Sequence, residues 1–324
     1  MEQPPSPEQK DKNRFMNMKR FVYLAVAAVL AVMPAVAQNK PTQKEYSDRY
    51  QLLVSKLGST GVGIETVLQN WGTDYPEDLD MLLGKFSYYL EKSRSSTYEI
   101  KDLKRYLGKD PIITLKDSLG KNVNYFQIDN YDDELFGKAT QAIDKAIELN
   151  QNRLDFRLYK ISALLGYEKE SPDMALSSLK ALIDYDGHNH PAWEYPGYVS
   201  DPNLFPSLMQ DCCYAFFLLG TPSSYEAFKE LSEKMVTYYP KAYEYTTNIG
   251  SYYLVYKHDS KTALKYYNKV LKKVPNDYAT LKNCVLLARN DKNVKLEKKY
   301  LPMLINATEN ETEKASYQAR LSTL

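Results

Sequence analysis

Three histidines and three cysteines have the widest chemical reach in this 324-residue chain. His188 and His190 stand two apart in the stretch HNHPAWEYPGYVSDPN and could offer two imidazoles to a metal ion. A metal site needs further ligands at short spacing. No third Cys, His or acidic partner follows at metal-site spacing, so the pair reads as solvated or stacking, and His258 falls in a turn. Cys212, Cys213 and Cys284 are odd in number and lack CxxC spacing, which gives neither a disulfide framework nor a zinc site. Helical neighbours point about 100° apart, so a Cys212–Cys213 disulfide would be strained and all three thiols read as small buried hydrophobes. There is no P-loop, no GxSxG elbow and no GxGxxG after a strand. The glycine-rich patch GSTGVG, residues 58–63, is not followed by Gly-Lys-Ser/Thr, and reads as a loop between helices. No catalytic residue, metal or cofactor is expected, and the chain is not expected to be an enzyme.

Aromatic residues are the stronger signal, with 29 tyrosines against 13 glycines. Trp193, Tyr195 and Tyr198 lie in a 188–203 interruption that Pro191, Pro196 and Pro202 stiffen. They give that loop apolar surface which a plain connector does not need. Two outcomes stay open: the rings fold back to seal a groove between helices, or they meet a partner. Adjacent pairs raise a related question. In Tyr88-Tyr89, Tyr238-Tyr239, Tyr252-Tyr253 and Tyr266-Tyr267, at most one ring of each pair is expected to point fully into a core. Tyr253 and Tyr267 take the packing role, so Tyr252 and Tyr266 are expected to face elsewhere, into a concave groove where ring and hydroxyl suit peptide or sugar contacts.

These residues have to be positioned by helices. In DSKTALKYYNKVLKKVPND, Ala263, Tyr267 and Val270 share one helical face, and Pro275 follows five residues later. The same spacing recurs as Ala139, Ile143, Ala146 and Gln151, as Ala175, Leu179, Leu182 and Gly187, and as Ile64, Leu68, Trp71 and Pro76. Ala139 to Ala175 is 36 residues, as is Ala227 to Ala263. Before Ala263 comes a helix carrying Ile249, Gly250 and Tyr253. A small residue on each helix (Gly250, Ala263) permits a close crossing, and larger side chains fill the space around it. Ile249-Gly250, Tyr253, Ala263, Tyr267, Val270 and Pro275 resemble the tetratricopeptide repeat, with one extra residue in the inter-helix turn. In other copies Gln151 and Gly187 replace the proline, Ile64 replaces the small residue, and the 222–238 helix fits only with a slip. The expected fold class is all-α: an α-solenoid of about six tetratricopeptide-like helix pairs, with one inserted β-hairpin. The pairs are expected over 44–71, 76–92 with 133–149, 153–185, 203–238, 242–273 and 277–304, and a helix over 308–323 caps the end. The hairpin is expected within 111–128, where β-branched and aromatic residues flank Asp117-Ser118-Leu119-Gly120. A hairpin beside such an array, followed by the aromatic insertion, resembles a group of secreted repeat proteins of Bacteroidota, and in them Asp117-Ser118-Leu119 would look like an O-glycan acceptor triplet. An ordinary hairpin turn accounts for the same three residues.

At the N-terminus, Lys19-Arg20 precede an apolar run, 21–32, and Ala35-Val36-Ala37 supplies small residues at a cleavage site. That pattern predicts a signal peptide over 18–37, cut after Ala37, and no stable membrane anchor afterwards. The run is shorter than the roughly 20 residues that span a bilayer. Residues 1–17 form a polar, proline-rich extension, with Met16 or Met18 the expected start. Loss of residues 1–37, which carry five basic and three acidic groups, moves the net charge from +1 to −1. A nearly neutral chain without a basic cluster predicts no nucleic-acid partner. The remaining organisation is N-terminal repeat helices over 38–92, the hairpin region over 93–132, repeat helices over 133–187, the insertion over 188–203, C-terminal repeats over 204–305 and the cap over 306–324. The expected function is a periplasmic or secreted scaffold or adaptor that binds a protein or peptide on its concave face, with a glycan bound through the aromatic insertion as the alternative.

Overall fold

The protein is seen in a computed structural model that describes residues 40–198 and 201–324. The expected extension, signal peptide and cleavage site lie outside these residues. Within them no helix is long and apolar enough to cross a membrane.

The fold is an α-solenoid of six helix pairs and a terminal helix, tetratricopeptide-like in arrangement. The pairs are α1 (Gln43–Leu57) with α2 (Ile64–Asp74), α3 (Leu79–Ser93) with α4 (Asp133–Leu149), α5 (Leu154–Glu168) with α6 (Asp173–Asn189), α7 (Leu204–Leu219) with α8 (Pro222–Tyr238), α9 (Tyr243–Val255) with α10 (Ser260–Leu271), and α11 (Tyr278–Asn290) with α12 (Val294–Ala307); α13 (Glu311–Ser322) closes the array. The helices begin where side chains can satisfy free backbone N–H groups. Thr42 caps α1 in a reciprocal capping box with Glu45, Asp78 caps α3, Asp132 caps α4, and Asp277 caps α11.

The repeated small and apolar positions are the core. Ala139, Ile143, Ala146, Ala175, Leu179, Leu182, Ala263, Tyr267 and Val270 are all buried. Gly250 explains why a small residue is needed there: a Cβ at that position would lie 2.5 Å from Cε1 of the Tyr267 ring. Tyr267 is itself wholly buried, so it has nowhere to move. Gly187, which stands where the repeat would have proline, is a second close approach, its Cα facing the Tyr238 ring. Pro275 is exposed in the turn between α10 and α11 and acts as a stop.

Three strands are inserted between α3 and α4: β1 (Arg94–Lys101), β2 (Ile113–Lys116) and β3 (Asn122–Tyr131) form an antiparallel sheet in the order β1-β3-β2. The expected hairpin is β2 with β3, and Asp117 closes its turn by accepting from the N–H groups of Leu119 and Lys121. The added strand β1 continues straight out of α3 and pairs along its whole length with β3. Its apolar residues, Tyr98 and Ile100, alternate as a strand requires, but both are exposed, so no buried face marked it. Phe126 and Ile128 of β3 are buried and fasten the sheet to the helices.

Both rings of Tyr88-Tyr89 are buried, contrary to the expectation of one per pair. A first helix lies between its own partner and the second helix of the preceding pair, so two faces about 100° apart are covered. Both hydroxyls reach Glu65 on α2, at 3.0 and 3.3 Å.

The cap is held by a buried carboxylate. Glu297 accepts from Arg289 Nε at 2.7 Å and from Arg320 Nε and Nη2 at 2.9 Å, tying α11, α12 and α13 together. The Arg320 bonds, opposed by burial and aided by Arg289, hold the carboxyl down at about 2. The folded chain binds this proton more weakly than the unfolded chain. Its stabilisation is therefore complete above the ordinary value of 4.5 and is lost as pH falls towards about 2. Urea unfolding across that window should show stability falling, and Glu297→Gln should flatten the fall.

Gly250→Ala should destabilise the chain by about 1–3 kcal/mol through overpacking. Gly137→Ala, where nothing lies within 4 Å of the added carbon, should be neutral or stabilise by up to about 1 kcal/mol. Equal midpoints in urea for the two variants would contradict the close-crossing account.

Candidate functional site

The aromatic insertion answers first. α6 continues to Asn189, so His188 lies on a helix, its ring edge against Tyr238. Trp193 is half-buried and stacks on Phe205 at the start of α7, with ring centroids 5.8 Å apart and planes at 8°. Its Nε1 donates to Asp186 Oδ1 at 2.8 Å, the Tyr239 hydroxyl also donates to Asp186, and Arg157 lies over its ring at 5.7 Å. Burial first, then Asp186, pushes the Tyr239 hydroxyl above its usual range. Tyr195 is half-buried and meets Tyr198 edge-on at 5.4 Å, and only Tyr198 of the three is largely exposed. The Glu194 carbonyl accepts from Leu154 N at 3.0 Å, satisfying the first N–H of α5, which lacks a side-chain cap. Trp193 is thus a packing residue, its ring stacked and its N–H engaged, which leaves no free platform for a sugar.

This packing has a reason in the array. At most junctions the second helix of one pair packs on the first helix of the next, but α6 makes little contact with α7 and packs on α8 instead. Lys234 and Tyr238 of α8 both reach Asp184 of α6. The space at the start of α7 is filled by Trp193. Near its other end, the loop after β1 brings Gly108, at φ +74°, within 2.5 Å (counted from an added Cβ) of the Leu218 carbonyl, and Tyr106 donates to Glu170 at 2.6 Å.

Tyr252 and Tyr266 do not face a groove, which corrects both assignments. Tyr252 is buried and donates to Glu226 of α8 at 2.7 Å, because its side of α9 meets the preceding second helix. Tyr266 lies on a second helix, half-buried, and stacks on Tyr253 at 5.7 Å and 11°. Tyr253, expected in the core, is half-buried in that stack.

The open groove lies on the first helices α7, α9 and α11. It encloses about 350 Å³, and Phe217 and Phe228 contribute apolar surface beneath an exposed Tyr214. Along it run amides: Gln210 and Asn248 bond each other reciprocally, at 3.2 and 2.8 Å, and Asn283 Nδ2 donates to Ser251 at 3.2 Å. Gln210, Asn248 and Asn283 stand on three successive first helices, 38 and 35 residues apart. That spacing is present in the sequence, but apolar periodicity, which marks packing positions, does not mark it. Each amide retains free hydrogen-bonding capacity. An extended backbone laid across them would find donors and acceptors in a row, with apolar surface beneath.

The thiols beside these amides are not reactive groups. Cys213 and Cys284 are buried, and burial pushes Cys284 up to about 12 and Cys213 higher still, which makes both poor nucleophiles. Among the described residues no group of three or more His, Cys, Asp or Glu could hold a metal ion.

No model of a known protein family matches the sequence, and no curated protein matches it. A solved structure described as "Functional Characterization of Pseudomonas Aeruginosa pilF" is similar at 12% identity, covering 86% of this chain and 98% of that one, with a TM-score of 0.33. The helical repeat described above rests on this chain's own geometry.

Trp193→Ala should cost about 2–4 kcal/mol in urea unfolding, since it empties the junction and strips Asp186 of a donor. Tyr198→Ala should change stability by less than about 0.5 kcal/mol. Similar costs for both would mean that Trp193 does not hold the junction.

Proposed function

We propose that the chain is a non-catalytic protein-interaction scaffold that acts outside the cytoplasm and holds an extended segment of a partner protein over α7, α9 and α11. The row of amides carries this reading. Gln210, Asn248 and Asn283 recur on three successive first helices and line an open groove, and after bonding one another and Ser251 their amides keep donors and acceptors to spare. Tyr214, largely exposed beside them, supplies a rigid ring at low ordering cost. The signal-like N-terminus supports the site of action in this reading.

Site-specific photocrosslinking in intact cells tests the reading. A photoreactive side chain at Tyr214 should give a discrete adduct with one protein. The same probe at Met174, exposed on the second helix α6, should give none. Adducts at both positions, or only at 174, would move binding off the groove.

A further inference from the structure

We infer that the chain forms a symmetric dimer through β1, whose outer edge pairs antiparallel with β1 of a second copy, the two-fold axis passing at Tyr98. This contact is separate from the groove over α7, α9 and α11 and does not depend on it.

The order β1-β3-β2 leaves β1 on an edge of the sheet, and its eight residues pair with β3 without a bulge. Asp132 N donates to Ser93 O at 2.9 Å, and the ladder alternates from that bond, so the odd-numbered residues of β1 bond β3. Ser96, Tyr98 and Ile100 therefore turn their N–H and C=O groups outward, where no further strand meets them among the described residues. Folded chains commonly blunt such an edge with lysine, proline, a bulge or a short strand. β2, the opposite edge, is blunted in this way: it has four residues, starts two residues after Pro111 and ends in Lys116. β1 is not. Its charges are engaged within the chain, Arg94 with Glu91 and Lys101 with Glu99, both at 2.9 Å, and the run from Ser95 to Tyr98 carries none. Tyr98 and Ile100, 68% and 61% exposed, stand on one face of the sheet, and Ile100 is in register with Tyr125 and Ile113.

The strand is compatible with itself. In a two-fold antiparallel pair an outward-bonding residue must oppose another, so the axis passes at a residue and not between two. Centred on Tyr98, the pairs are Tyr98 with its own copy, Ser96 with Ile100, Thr97 with Glu99 and Ser95 with Lys101, and no like charges meet. Arg94 then falls opposite Asp102 at both ends, opposite charges whose side chains are 45% and 84% exposed. Centring on Glu99 would oppose two carboxylates, and centring on Thr97 would set Arg94 against Ile100. Joining at Tyr98 lets the two rings cover each other and makes one six-stranded sheet whose remaining edges are both the short, blunted β2.

The test is sedimentation of the purified full chain over a concentration series, beside Tyr98→Pro and Tyr98→Lys. The Tyr98 N–H points away from β3, so proline there removes no bond within the chain. Lysine leaves the backbone alone and brings two ammonium groups together at the axis. The wild-type chain should sediment as a dimer, and both variants should weaken dimerisation at least about tenfold with their helical circular dichroism unchanged. Should proline disturb the sheet, Tyr98→Lys decides alone. A monomer at every concentration, or a dimer that Tyr98→Lys leaves intact, would overturn the proposal. A photoreactive side chain at Tyr98 in intact cells should join two copies of the chain. An adduct only with a different protein would give the edge to that partner and overturn the dimer.

Discussion

A helical array survives only if each pair buries its open face on the next, because no single pair can cover its own apolar surface. This chain meets that demand by direct helix contact except between α6 and α7. There the demand is met by imported material. Trp193 fills the space at the start of α7, the Glu194 carbonyl caps α5, and the sheet's loop reaches the end of α7 through Gly108. The two departures from a regular repeat, far apart in sequence, thus serve one junction. The insertion acts as a wedge between helices, and Trp193 is explained by that role.

The same constraint decides which tyrosines are available. A first helix is enclosed on two sides, by its partner and by the helix before it, so adjacent residues such as Tyr88-Tyr89 can both be covered. What remains of it is open to solvent. That strip is narrow, and in α7, α9 and α11 it contains Gln210, Tyr214, Asn248 and Asn283.

The helix pairs were legible because close crossings need small residues at fixed intervals, and Ala139, Ala175 and Ala263 with Gly250 mark them directly. The strand β1 was not, since Tyr98 and Ile100 carry strand periodicity without burial. The groove was missed for a different reason. Periodicity in apolar residues reports packing, and Tyr252 and Tyr266 were assigned by counting one buried face per helix where there are two. The groove-lining positions Gln210, Asn248 and Asn283 recur with the repeat as well, but in polar residues, which apolar periodicity does not report.

The buried side chains form two separate clusters, one from Tyr46 to Tyr252 and one from Leu254 to Tyr317, which meet within α9. The two meet only through α9, so opening need not be all-or-none along the chain. The groove straddles this division: α7 belongs to the first cluster and α11 to the second, with α9 shared. A segment bound across all three helices would therefore act as a splint. It would raise the cost of separating the two halves, and amide exchange in α11 and α12 would slow although neither cluster had changed its own packing.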